Sequence, residues 1–318
     1  MSTHTRTTPV ARLANGGPPM TLKPRTLLVA TDDTSASAPA VRFALALADG
    51  GAHVEALHVV DTRSLPIPPP IDLAIAFADA VSGDAFRMER EREVRAQLSV
   101  TLDRPVDWPV RVALGTPAKT IVREAQRIHA NFIVLGLRRH NAVNRVVAGE
   151  TTEHVLRAAA CPVVCVSPTF GGLPRRVLVA VDFSQASLEA ARAADRLFGK
   201  DGTLVLAYVA PPAMSIPDDG ERVIHELGVT GAFVWFKGEL GRAHDAPVEQ
   251  VTLACGATQR VAEALMSCAD SANADLIALG SLRHGRVERW MLGSVTTDIV
   301  RTGTHSMLVV PPNDRTSP

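Results

Sequence analysis

Short apolar runs alternate along this chain with longer stretches of helical periodicity. Arg25–Thr31 reads RTLLVAT, an apolar run with no polar alternation. A run of this kind fits a strand of a parallel sheet buried on both faces. Similar runs predict strands at Val54–Val60, Val106–Val112, Asn131–Leu135 and Val163–Val166. Between them, the periodicity predicts helices over Ser37–Ala48, Asp72–Leu98 and Ala118–His129, and one more after a Gly136–Gly149 loop. The second half predicts strands at Arg176–Val181, Thr203–Val209, Glu249–Ala254, Leu276–Leu279 and Met307–Val310. Its helices fall at Ser187–Phe198, Glu221–Ala243, Gln259–Cys268 and Ser294–Thr302, the second interrupted around Gly228–Gly231. Such alternation predicts an α/β fold, with a doubly wound, parallel, five-stranded sheet in each half. In such sheets ligands bind outside the carboxyl ends of the strands, where the strand order reverses.

The two halves repeat one another. Gly136, Arg139, His140, Arg145, Gly149 and Thr152 fall on Gly280, Arg283, His284, Arg289, Gly293 and Thr296 at an offset of 144 residues. Val29-Ala-Thr-Asp32 falls on Val179-Ala-Val-Asp182 at an offset of 150. A period this long marks a duplicated domain rather than a solenoid of about 20–50-residue repeats. We place the domains at 23–168 and 175–312, joined by a linker at 169–174 that contains Gly171-Gly172. Residues 1–22 are rich in Thr, Pro, Ala and Gly without the apolar core of a signal peptide, and are expected to be a disordered tail. Residues 313–318 form a second tail.

Charge and cysteine content narrow the classes. The 318 residues carry 33 basic and 33 acidic side chains, so nothing announces a nucleic-acid or acidic-membrane partner. No apolar run approaches the length of about 20 residues that a membrane span needs, and a cytoplasmic location is expected. Cys161, Cys165, Cys255 and Cys268 form no C-x-x-C pair and no zinc pattern, and read as packed thiols of a reducing compartment. The charge run Arg87–Arg95 reads as a solvated helix face.

The stretch Leu276–Thr296 carries the most chemistry. A strand, a polar loop and a helix start follow in that order, and free backbone N–H groups and the helix dipole there attract an anion. Gly280 and Gly293 remove the Cβ that would hold a phosphate oxygen off the backbone. Ser294 adds a hydroxyl at the capping position. Asp182 ends the first strand of its half, where capping the next helix is an equal alternative role. His140 and His284 read as solvated loop residues without a partner that would make either a base. No Ser/His/Asp arrangement is recognisable, and neither a catalytic nor a metal-ligating set is predicted.

These motifs resemble the universal stress protein family in its tandem form. The family pattern is an Asp ending the first strand, then Gly-x2-Gly-x9-Gly-(Ser/Thr). The second half reads Gly280-x2-Arg283-x9-Gly293-Ser294, with Arg replacing the middle glycine. The first reads Gly136-x2-Arg139-x9-Gly149-Glu150 and departs twice. The resemblance implies an adenine nucleotide alpha hydrolase-like fold with strand order 3-2-1-4-5. It implies ATP or ADP, with or without Mg, on Asp182, Val209, Gly280, Arg283, Gly293, Ser294, Val295 and Thr296. Asp32, Val59, Gly136 and Gly149 are the counterparts in the first half. It further implies an intramolecular pseudo-dimer through the last strands, and leaves a homodimer open. The expected role is a nucleotide-responsive stress-response module with unknown protein partners. A slow ATP hydrolase and a nucleotide-free scaffold are the rivals.

Overall fold

The structure is a computed structural model that describes residues 26–32, 34–64, 83–140, 145–147, 149–198, 202–210, 219–241, 247–254, 260–281 and 292–312. The first half contains strands β1 (Thr26–Thr31), β2 (His53–Asp61), β3 (Val110–Gly115), β4 (Phe132–Gly136), β5 (Arg138–His140), β6 (Arg145–Val147) and β7 (Val163–Val166). Its helices are α1 (Ala38–Asp49), α2 (Asp84–Leu102), α3 (Pro117–Arg127) and α4 (Glu150–Ala158). The second half contains β8 (Arg176–Val181), β9 (Thr203–Ala210), β10 (Val248–Ala254), β11 (Leu276–Gly280) and β12 (Ser306–Val310). Its helices are α5 (Gln185–Asp195), α6 (Asp219–Leu240), α7 (Val261–Ser271) and α8 (Ser294–Thr302).

Ten strands form one sheet in the order β10-β9-β8-β11-β12-β7-β4-β1-β2-β3. Each half is thus a parallel five-stranded array in the expected order, and the two arrays share an edge instead of standing as separate sheets. The joint is the antiparallel pairing of β7 with β12: Cys165 opposite Met307, Val164 opposite Leu308, Val163 opposite Val309. Both strands are buried throughout. Pairing two apolar edges removes the open ladder that each half would otherwise expose. The backbone N–H of Ser167 donates to the buried Ser306 hydroxyl across the joint at 3.0 Å. The Arg196 guanidinium sits 5.9 Å above the Phe132 ring, tying the second half to the first.

Alternate side chains of each strand enter opposite layers. Leu27 and Val29 of β1, with Val177 and Val179 of β8, pack under α1, α2, α5 and α6. Leu28 and Leu178 face α3, α4, α7 and α8 in the other layer. Each layer runs through both halves.

Three expectations need correction. The third strand begins at Val110 rather than Val106, because Pro105 and Pro109 have no N–H for the ladder. The Gly136–Gly149 loop carries a hairpin, with Arg138 opposite Val147, Arg139 opposite Val146 and His140 opposite Arg145. Gly228 and Gly231 do not interrupt α6, because the burial of Phe233, Phe236 and Leu240 outweighs their poor helix propensity. The charge run on α2 is a solvated helix face as expected, with i,i+3 pairs such as Arg90–Glu93 and Arg92–Glu89. Residues 72–82 of its expected span, and both tails, lie outside the described residues.

Burial pushes the Cys161 and Cys165 thiols up to about 12, so both stay protonated and unreactive. Cys255 lies outside the described residues. Among those residues, no helix is long and apolar enough to cross a membrane.

Candidate functional site

The two arrays carry equivalent cavities at the carboxyl ends of their strands. In the second half, Asp182 at the end of β8, Val209 on β9 and Gly280 at the end of β11 converge with Gly293–Thr296 at the start of α8. The cavity is about 290 Å³, and the first turn of α5 and Val261 and Leu265 of α7 complete its wall. Hence Asp182, Val209, Gly280, Gly293, Ser294, Val295 and Thr296 meet in one place although Asp182 and Thr296 stand far apart in the chain. Arg283, His284, Trp290 and Met291 lie outside the described residues.

Asp182 does not cap a helix. Its carboxylate accepts from the Ser184 N–H at 3.0 Å and shapes the turn, and Ser184 is the cap, accepting from the Ser187 N–H at 3.3 Å. Between them Phe183 holds φ +61°, in the left-handed region. Its ring packs 5.0 Å from Tyr208 and 5.1 Å from Phe233, and this aromatic contact offsets the backbone strain. Sequence reasoning missed Tyr208, Leu265 and Val261. Alternation along β9 and helical spacing along α7 are the signals that point to this wall.

The capping assignment shifts by one residue. Gly293 is the N-cap of α8, and Ser294 is the first helical residue, with no side-chain cap. Thr297 donates to the Gly293 carbonyl at 2.8 Å, so the N–H groups of Ser294, Val295 and Thr296 precede the first intrahelical bond.

The two glycines of this site have different physical reasons. A Cβ on Gly280 would stand 2.4 Å from the Ala186 carbonyl oxygen, and one on Gly136 would stand 2.1 Å from that of Ala36. Close packing against the first turn of α5 and the entry to α1 is by itself enough to require glycine at these two positions. Gly293 is otherwise: its φ is −55°, open to any residue, and a Cβ there meets no described atom within 4 Å. Gly149 repeats this, with φ −67°. Neither backbone strain nor packing within the described protein requires glycine at either cap.

In the first half, Asp32, Val59, Gly136 and Gly149 line a cavity of about 490 Å³. The Asp32 carboxylate accepts from the Thr34 N–H at 3.2 Å and its hydroxyl at 2.7 Å. Among the described lining residues, three carboxylates, Asp32, Asp61 and Glu150, stand here, against Asp182 in the second half. The Arg63 guanidinium donates to both Asp61 oxygens, at 3.1 and 2.9 Å, and holds that carboxyl below its usual range. The same pairing raises Arg63, with a further contribution from Glu150. Among the described residues, no group of three or more His, Cys, Asp or Glu side chains is placed to hold a metal ion.

The model of the universal stress protein family matches twice, over residues 23–167 and 174–311. The chain belongs to the universal stress protein family. A universal stress protein of Methanocaldococcus jannaschii is 25% identical over 141 residues, 44% of this chain and 80% of that one. A universal stress protein of Mycobacterium tuberculosis is 24% identical over 221 residues, 67% of this chain and 72% of that one. The solved universal stress protein of Archaeoglobus fulgidus shares the fold with a TM-score of 0.63 at 21% identity, covering 91% of this chain and 98% of the other. The tandem match and the repeated cavities describe the same duplication.

Proposed function

We propose that this universal stress protein is a cytoplasmic, nucleotide-responsive regulatory module, and that its second half binds ATP or ADP. Adenine and ribose sit between Asp182 and the backbone of Val209. The phosphates sit on the N–H groups of Ser294, Val295 and Thr296, with Gly280 flooring the approach. The carrying observation is Gly293, a glycine required neither by its backbone angles nor by its described neighbours, at a helix start that opens into the cavity. A phosphate oxygen needs that space, because any Cβ there would hold it off the amides. The apolar wall of Val209, Leu265 and Val261 suits an adenine face, and Asp182 suits a ribose hydroxyl or the adenine amine. Mg, where present, would be held chiefly by the phosphates and water, since the described lining residues offer one carboxylate, Asp182.

Calorimetry on the full, nucleotide-stripped chain tests this reading. Binding in the micromolar range is expected, roughly −8 kcal/mol. No heat and no thermal shift at millimolar nucleotide would leave the nucleotide-free scaffold instead. Steady release of phosphate or AMP, lost on Asp182→Ala, would convert the module into a slow hydrolase.

A further inference from the structure

Helix α6 buries Phe233, Phe236 and Leu240 against the sheet and turns an unusual face outwards. Leu227 is 68% exposed, Val234 69% and Trp235 49%. Interleaved with them are Gly228, Gly231 and Gly238, all exposed, where an added Cβ meets nothing within 4 Å among the described residues. At 100° per residue, Leu227, Gly231, Val234 and Gly238 fall within an arc of about 60°. Glycine is the poorest ordinary residue for a helix interior, and no described neighbour uses the space these three leave. The equivalent helix of the first half, α2, carries charge in this region, with Arg87, Glu89, Arg90, Glu91, Arg92 and Glu93.

The order of large, small and charged residues on this face is self-complementary. Reversing the helix about the level of Ala232 brings Leu227 to Gly238, Val234 to Gly231 and Trp235 to Gly228. Each match holds to within one residue, or about 1.5 Å along the axis. Trp235 and Gly228 lie on one flank of the stripe, and Glu226 and Lys237 lie on the other. An antiparallel two-fold sets each flank against itself, so Glu226 meets Lys237 of the second copy twice over. Neither charge has an ion-pair partner among the described residues.

We propose that α6 is the docking surface for a second copy of this chain, in an antiparallel two-fold contact with Leu227, Val234 and Trp235 seated over glycines. An isologous contact needs one patch that complements itself, which this face supplies in both size and charge. The glycines let the two helix backbones approach closely. The contact is separate from the β7–β12 joint and does not depend on nucleotide. One helix pair lies at the small end of specific interfaces, so the dimer forms and dissociates with concentration.

Sedimentation velocity on the full chain, from micromolar to near-millimolar concentration, is the test. The wild type shifts from monomer to dimer over that range. Gly231→Leu raises the dissociation constant by roughly tenfold or more, through overpacking of a close contact. Its helical circular dichroism is unchanged or increased, which separates a lost contact from a lost fold. Lys237→Glu weakens the dimer by about two- to fivefold, and Glu226→Lys combined with Lys237→Glu restores it. A chain that stays monomeric throughout overturns the proposal, whatever unrelated protein then covers the stripe. So does a dimer indifferent to Gly231→Leu, which would point to the open edges β3 or β10. Failure of the double charge reversal to restore what Lys237→Glu loses rules out the antiparallel register.

Discussion

Val164 and Leu308 lie opposite each other at the centre of the β7–β12 joint, and each holds the other's place in its own half. The flanking pairs, Val163 with Val309 and Cys165 with Met307, exchange under the same 144-residue offset. The duplicated halves are therefore related by a pseudo-two-fold axis through this pair, normal to the sheet. That axis carries each helix layer of one half into the same layer of the other.

Because Leu308 is fully buried at the joint, Leu308→Asp places an unpaired carboxylate where two sheets become one. We expect a loss of about 3–5 kcal/mol. Chemical denaturation should also lose its single cooperative transition, as the halves unfold separately. Leu308→Ala should cost about 2–4 kcal/mol and keep the halves coupled.

The two site glycines of the second half should part company on substitution. Gly280→Ala drives a Cβ into the Ala186 carbonyl and should cost about 1–3 kcal/mol of stability. Gly293→Val meets open space, so thermal unfolding should change by no more than about 0.5 kcal/mol. Nucleotide affinity should nevertheless fall by roughly tenfold or more, the loss of a charge-assisted hydrogen bond. Equal affinity in Gly293→Val and wild type would contradict phosphate placement at α8.

The first-half cavity should bind nucleotide less tightly than the second. Asp32, Asp61 and Glu150 line it; the paired Arg63 guanidinium offsets the charge of Asp61, so the repulsion rests on Asp32 and Glu150. Glu150 suits the bare start of α4, worth about 0.3–1 kcal/mol against the dipole. One unit charge 4 Å from a phosphate charge costs about 1 kcal/mol in water and about 4 kcal/mol at an effective dielectric of 20. Titration should therefore give one nucleotide per chain, and Glu150→Ser should raise first-half affinity. Crystals soaked with ATP and showing equal occupancy of both halves would overturn this.

Arg176 and Glu249 link β8 to the edge strand β10 through two hydrogen bonds of 3.1 and 2.7 Å. The Arg176 hydrogen bonds hold the Glu249 carboxyl below its usual range. A depressed carboxyl stabilises the fold above its unfolded pKa and loses that contribution as pH falls through the folded value. The pair is half-exposed, so Glu249→Gln should cost only about 0.5 kcal/mol at pH 7. The difference between variant and wild type should disappear below the ordinary carboxylate range, as denaturation curves at stepped pH would show.

Hydrophobic runs in the sequence determine where strands form, because a strand buried on both faces admits little else. Val163–Val166 and Arg176–Val181 match their predicted bounds for that reason. Repetition at offsets of 144 and 150 residues likewise determines the duplication and pairs the two aspartates that follow β1 and β8, and the repeated motifs point to the family. The tertiary structure alone decided what depends on distant neighbours. Helix α6 passes through Gly228 and Gly231 because Phe233 and Phe236 are held beneath it, a contact no local propensity registers. Gly280 and Gly293 look alike in the sequence, yet at one an added Cβ would meet the Ala186 carbonyl oxygen at 2.4 Å across the fold, and at the other it would meet nothing in the described protein. The family resemblance implies a pseudo-dimer through the last strands, and the folded arrangement of both halves decides its direction and register, antiparallel with Val164 opposite Leu308.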